Sequence, residues 1–277
     1  MSNQRTHYVT STDGVTIGGT VHGQGPPLVF LHGMLGDGDL DWNPLVGLLK
    51  TGFTCHLPSQ RGRGLSGDHP DLSYGRQVDD FLAYIHSIDR PIGLVGWSGG
   101  AWPVLHASAI SDAVAAVAPI EPESVGLADE RQQAAFGSAV ERAAELATEG
   151  ELTAAVRPLA DFVFNDEEIA TLEDVGYIEA TGRYIPNLLN FIHQLVEYEG
   201  PTAEDPTVLN EVSARVMVLQ GSDTKPLAAT SAQHVTEHVA DARIQEIAGA
   251  GHAAPLTHSE ALAEALTEFF EPGQWPA

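Results

Sequence analysis

Short, wholly apolar stretches alternate along this chain with longer ones in which apolar positions recur every third or fourth residue. The first kind fits strands buried on both faces, and the second fits helices with one buried face. Near the start, Tyr8-Val9-Thr10 and Val15-Thr16-Ile17 flank Asp13-Gly14, which predicts a β-hairpin. Residues 23–27 read as a loop. Strands are then predicted at 28–31, 53–57, 92–97, 114–118, 215–220 and 243–247. Helices are predicted at 44–50, with Pro44 in its first turn, and at 77–88, where Val78, Phe81, Leu82, Ile85 and Ile88 share a face. Further helices are expected at 99–110, 228–239 and 259–270. From 124 to 205 the strand pattern stops and helical patterns fill 131–149, 152–164 and 187–198. The chain therefore divides into a core of 1–123 and 206–277 and a helical cap, or lid, inserted at 124–205.

Strand and helix in alternation predict an α/β protein with a mostly parallel sheet covered on both faces. Such sheets bind ligands at the carboxyl ends of their strands. Five chemically capable positions fall at those ends: Gly33-Met34, Ser98, Glu121, Asp223 and His252.

Composition narrows the partners. Thirteen basic against 38 acidic residues give a formal charge of −25, which repels nucleic acid and anionic membranes. Lys50 and Lys225 are the only lysines. An acid-rich, lysine-poor surface suits concentrated salt, where charge repulsion is screened, and a salt-adapted source is expected; an acidic bias of the genome would give the same composition. No apolar run is long enough to span a bilayer, and Met1-Ser2-Asn3-Gln4-Arg5 has no apolar signal core, so a cytoplasmic location is expected. A single cysteine, Cys55, excludes an internal disulfide and a cysteine-based metal cluster. A small-molecule substrate is the partner this leaves, with monomer and homodimer both open.

Two motif matches fail. Asp37, Asp39 and Asp41 alternate as in a calcium loop, but Trp42 stands where the loop needs Gly and Leu48 where it needs Glu. A solvated acidic loop without metal is expected there. Gly62-Arg63-Gly64-Leu65-Ser66-Gly67 has dinucleotide-loop spacing, but the turn Gly67-Asp68-His69-Pro70 follows instead of a helix, so no cofactor is expected. His234 and His238 lie four apart without the order of a zinc site and read as surface histidines.

The chemistry centres on Ile92-Gly93-Leu94-Val95-Gly96-Trp97-Ser98-Gly99-Gly100. A buried strand ends in Gly-x-Ser-x-Gly and a helix opens behind it, a context that exposes the Ser98 hydroxyl on a strained turn beside free backbone N–H groups. His252 follows Gly249-Ala250-Gly251, glycines read as building the tight turn that carries a loop histidine over the serine.

With Phe30-Leu31-His32-Gly33, Gly96-Trp97-Ser98-Gly99-Gly100 and Gly249-Ala250-Gly251-His252 in that order, the chain resembles the α/β-hydrolase superfamily over 6–122 and 206–272. The resemblance implies acyl transfer: Ser98 attacks a carbonyl, His252 moves the proton, and the N–H groups of Gly99 and Met34 hold the oxyanion. His32 is expected to brace its loop. The acid is left between two positions. The family's usual Gly-x-x-Asp after the strand at 215–220 is shifted here, with Asp223 one place early and Thr224 in the slot. Glu121, in Ile120-Glu121-Pro122, is the preferred acid, an arrangement similar to that of zearalenone-type lactone hydrolases. The reading is an esterase or lactonase for an apolar substrate, its cap lining drawn from Phe136, Phe162, Phe164, Tyr177, Tyr184 and Phe191. A C–C bond hydrolase, a lyase, a cofactor-free perhydrolase and a non-catalytic receptor remain open on the same fold.

Overall fold

The computed structural model describes residues 5–88 and 91–271; Met1-Ser2-Asn3-Gln4, on which the expectation about a signal core rests, lie outside them. The strands are β1 (Arg5–Thr10), β2 (Thr16–Gly23), β3 (Pro27–Leu31), β4 (Thr54–Pro58), β5 (Ile92–Trp97), β6 (Val114–Ile120), β7 (Arg215–Gly221) and β8 (Ala242–Ile247). They form one sheet in the order β1-β2-β4-β3-β5-β6-β7-β8. The pairs β1/β2 and β2/β4 are antiparallel, and every pair from β4 through β8 is parallel. The predicted hairpin forms, with Gly14 at φ +93° in its turn.

Helices α1 (Gly38–Leu49), α2 (Tyr74–His86) and α3 (Ala101–Ile110) connect the first strands. Between β6 and β7 come α4 (Glu130–Thr148), α5 (Leu152–Val163), α6 (Asp166–Asp174), α7 (Tyr177–Thr181), α8 (Ile185–Val196) and α9 (Pro206–Leu209). The chain closes with α10 (Pro226–His238), α11 (Ala254–Thr257) and α12 (Ser259–Phe269).

Side-chain alternation along β5 shows how both faces are covered. Val95 and Trp97 join an apolar cluster with Trp42 and Leu45 of α1 and Leu262 and Leu266 of α12. Ile92 and Leu94 join the opposite cluster, with Phe81 and Ile85 of α2 and Leu105 of α3. The first cluster runs on without a break into Val156, Leu159, Phe164, Leu172 and Leu188 of the helical segment between β6 and β7. That segment is packed against the face of the core that carries the strand ends.

One expectation changes. The acidic stretch at 37–42 is not a solvated loop. Asp37 is the N-cap of α1, its carboxylate accepting from the N–H groups of Asp39 and Leu40, and the helix runs through Pro44 instead of starting there. Carboxylates at a helix N-terminus complement its dipole, which accounts for the spacing that resembled a calcium loop. Asp37 and Asp41 are both buried.

Candidate active site

The nucleophile candidate sits where the sequence places it. Ser98 has φ +53° and lies between β5 and α3. The turn closes so tightly that a Cβ on Gly96 would stand 2.5 Å from the Gly100 carbonyl, and one on Gly100 2.3 Å from that of His32. Glycine is required at both positions by close approach.

His252 is buried and its Nε2 lies 2.8 Å from Ser98 Oγ. The indole N–H of Trp97 donates to the His252 carbonyl at 2.8 Å. On its other side, Nδ1 faces two carboxylates: Glu121 Oε2 at 3.4 Å and Glu123 Oε2 at 3.8 Å. Burial pulls the His252 imidazole down, but the hydrogen bond to Glu121 and the charges of Glu123, Glu121 and Glu168 outweigh it, and the net shift is upward. Burial, reinforced by Glu121, raises the Glu123 carboxyl against the opposing pull of His252.

Glu121 is fully buried and has φ +47°. Its Oε1 accepts the Gly221 N–H at 2.6 Å and its Oε2 accepts the Thr224 hydroxyl. Asp223 is exposed; it accepts from the Ser222 hydroxyl at 3.0 Å, and its backbone N–H is tied to Ala250. Of the two candidate acids, only Glu121 is brought to His252. Thr224, in the slot where the family pattern has Asp, donates to it.

Gly99 and Met34 meet beside the serine: a Cβ on Gly99 would lie 2.4 Å from Met34 Cγ. The loop carrying Met34 is held from several directions. Gly33 N–H donates to Asp41 Oδ2 at 2.8 Å. Buried Arg63 donates to the carbonyls of Met34 and Gly36. His32 accepts the Gln60 N–H on Nε2 and donates from Nδ1 to the Gly33 carbonyl at 2.7 Å. Burial, aided by the Arg63 charge, pushes this imidazole down to about 4, so it is neutral at pH 7 and braces the loop. The carboxyl of Asp41, pushed up to about 8 by burial, also accepts the Tyr177 hydroxyl at 2.9 Å. Tyr184 and Arg183 reach the N-cap Asp37 from the same helical segment.

Above Ser98 and His252 lies a narrow cavity of about 60 Å³. Met34, Leu35 and Trp97 line its core side, and Phe136, Leu159, Phe164, Tyr177, Leu188 and Ile192 its upper side. Of the six aromatic side chains expected to line it, Phe136, Phe164 and Tyr177 do so. Phe162 packs on Phe136 with ring centroids 5.2 Å apart, and Tyr184 bonds to Asp37. Among the described residues no group of three or more potential ligands could hold a metal ion. His234 and His238 are half-buried, not fully exposed as the sequence suggested; their ring centroids lie 4.6 Å apart and His234 bonds to the Glu204 carbonyl.

Sequence reasoning missed Glu123, Asp41 and Glu168. The capping pattern Asn165…Glu168 was available as a helix-start signal. Nothing in it indicates that the same carboxylate also reaches the His252 turn. The reading of Gly251 also changes: the positive φ of the turn belongs to Gly249, at +74°, whereas a Cβ on Gly251 would stand 2.6 Å from Glu168 Oε1. Gly251 is small because a carboxylate lies against it.

A sharp serine turn at the end of a parallel strand, with an imidazole beside it, defines a hydrolase-type fold and site. The chain belongs to the alpha/beta hydrolase family, which it matches over residues 28–265. It is similar to an alpha/beta hydrolase from Sphaerobacter thermophilus, with 24% identity, 95% of this chain and 100% of the other covered, and a TM-score of 0.73. It is also similar to an esterase from Rhodococcus sp. ECU1013 (19% identity, 96% and 98% covered, TM-score 0.77). A third similar structure is the 2-hydroxy-6-oxo-6-phenylhexa-2,4-dienoate hydrolase of Rhodococcus sp. strain RHA1 (18%, 98% and 99%, 0.76). Identities this low carry the fold and no more. No curated protein sequence matches the chain. No helix among the described residues is long and apolar enough to cross a membrane.

Proposed function

We propose that the protein is a serine hydrolase that cleaves an ester or lactone with a small apolar acyl group, with Ser98 as nucleophile, His252 as base and Glu121 as the carboxylate that orients the imidazole. The observation that carries this reading is the relay of 2.8 Å from Ser98 Oγ to His252 Nε2 with Glu121 facing Nδ1. Ser98 Oγ attacks the carbonyl carbon and its proton passes to Nε2. The tetrahedral oxyanion forms against the N–H groups of Gly99 and Met34. His252 then protonates the leaving alkoxide, and water, deprotonated in turn by His252, releases the acid. Glu121 holds Nδ1–H and offsets the positive charge of the imidazolium.

The helical segment 124–205 acts as the cap. An apolar cavity of about 60 Å³ is well below the roughly 300–1,000 Å³ of sites for drug-sized ligands, which supports a short acyl group. A fluorophosphonate probe should label Ser98 in the wild type and not in Ser98→Ala. On p-nitrophenyl esters, kcat/KM should fall from acetate or butyrate to octanoate. An unlabelled wild type, or turnover of a carbon–carbon substrate with none on any ester, would overturn the assignment.

A further inference from the structure

The six-residue arc from Ala250 to Pro255 carries His252, yet part of what fixes it comes from outside the core. Glu168, in the first turn of α6, splits its carboxylate between two jobs. Oε2 accepts the Asn165 N–H at 3.0 Å and closes the capping box of α6. Oε1 accepts the Ala253 N–H at 2.6 Å, one residue past His252. Gly251 leaves the space that this carboxylate occupies. Glu168 is buried, so the contact is sheltered from water and from competing donors.

We propose that Glu168 is a positioning residue for His252, contributed by the helical segment between β6 and β7, which sets the base loop through Ala253 N–H and adds a negative charge beside the imidazolium. The proposal rests on the assignment of Ser98 and His252 above. The other groups around the imidazole are Ser98 from the β5 turn, Glu121 and Glu123 from the end of β6, and the rings of Trp97 and Phe164. Lys225, at the start of α10, opposes the carboxylates: its charge acts on Glu123 and feels Glu168. Glu168 is one of the charges that hold His252 above its ordinary value. A docked helical segment is therefore part of a competent base: were α6 to lift away, both the Ala253 tether and this charge would leave with it.

The test is the rate of covalent labelling by a fluorophosphonate, followed across pH for the wild type, Glu168→Gln, Glu168→Ala and the exposed neighbour Glu167→Gln. Glu168→Gln removes the charge but keeps an acceptor oxygen, so the acid limb of the rate profile should move to lower pH. Glu168→Ala also removes the tether. Its limiting inactivation rate should fall about 10-fold or more at unchanged inhibitor affinity, since a displaced catalytic group costs up to roughly 10²-fold. Glu167→Gln should follow the wild type. If the wild type labels and Glu168→Gln keeps the wild-type limb, or Glu167→Gln shifts it equally, the proposal is overturned. Should Glu168→Ala not fold, the Gln profile decides alone. A wild type that does not label would instead sink the underlying assignment.

Discussion

Glu121 and Ser98 are the non-glycine residues with positive φ among those described, at +47° and +53°. Each such conformation costs of order 1–3 kcal/mol and persists only where its surroundings impose it. For Glu121 these are the Gly221 N–H, the Thr224 hydroxyl and His252. Replacing Glu121 by Gln should lower kcat by up to roughly 10⁴-fold, the cost of a triad acid that no longer fixes the tautomer. Exposed Asp223→Asn should change kcat little and stability by less than about 0.5 kcal/mol. Steady-state kinetics on a p-nitrophenyl ester compare the two, and a loss confined to Asp223→Asn would reverse the assignment. Asp41 supports a separate prediction. Its folded carboxyl titrates at about 8 against an ordinary 3.8, so between these values the folded chain holds a proton that the unfolded chain has released. Stability from this group therefore falls as pH rises from about 4 through about 8. Asp41→Asn keeps one acceptor oxygen, for the Gly33 N–H, places an amide donor beside the Tyr177 hydroxyl oxygen, and removes the titration. Thermal melts from pH 5 to 9 should show the wild type losing ground to Asp41→Asn as the pH rises, and parallel curves would refute the buried proton.

At the scale of elements, the β5–α3 turn and the segment from α4 to α8 do different work. The turn aims the serine by close backbone approach. Gly100→Ala would place a methyl 2.3 Å from the His32 carbonyl and 2.6 Å from that of Leu31, where β3 ends and the loop that carries Met34 begins. A clash against backbone cannot be relieved by a rotamer change, so the variant should lose about 1–3 kcal/mol in denaturant melts and lose labelling with it. A variant as stable and as reactive as the wild type would show that the turn has slack. The helical segment, by contrast, reaches the core through a few polar contacts: Tyr177 to Asp41, Tyr184 and Arg183 to Asp37, and Glu168 to Ala253. Each of these lands on a loop that carries a proposed catalytic group or on its direct support.

Across the whole molecule, the formal charge of −25 is spread over a fold whose buried faces are conventionally apolar. Like-charge repulsion of this size weakens the compact state at low ionic strength and is screened over about 3 Å in molar salt. Melting temperature should therefore rise from dilute buffer to 1 M KCl. A melt as high without salt would count against the salt-adapted reading and favour a composition set by genome bias.

Local pattern carried the sequence far. Apolar runs marked the central strands β3, β5 and β6, because a strand buried on both faces needs apolar residues throughout, whereas the first hairpin was read from its Asp-Gly turn. The Gly-x-Ser-x-Gly pattern marked the turn; Gly96 and Gly99 read as the glycines that let strand and helix close, whereas in the structure Gly96 and Gly100 lie against backbone and Gly99 against the Met34 side chain. Alternation of strand and helix put the candidate residues Ser98, Glu121, Asp223 and His252 at strand ends, where a parallel sheet binds ligands. Tertiary structure decided what depends on distance across the fold. Which of the two candidate acids lies beside His252 depends on Glu121 being buried and Asp223 exposed, a difference made by the fold. The acidic stretch at 37–42 read as solvated because Asp41 is buried only in the folded chain, which brings Tyr177, 136 residues away, to its carboxyl. Glu168 carried a capping signal, but its contact with the His252 turn exists only once α6 has docked, and no local pattern encodes a partner 85 residues away.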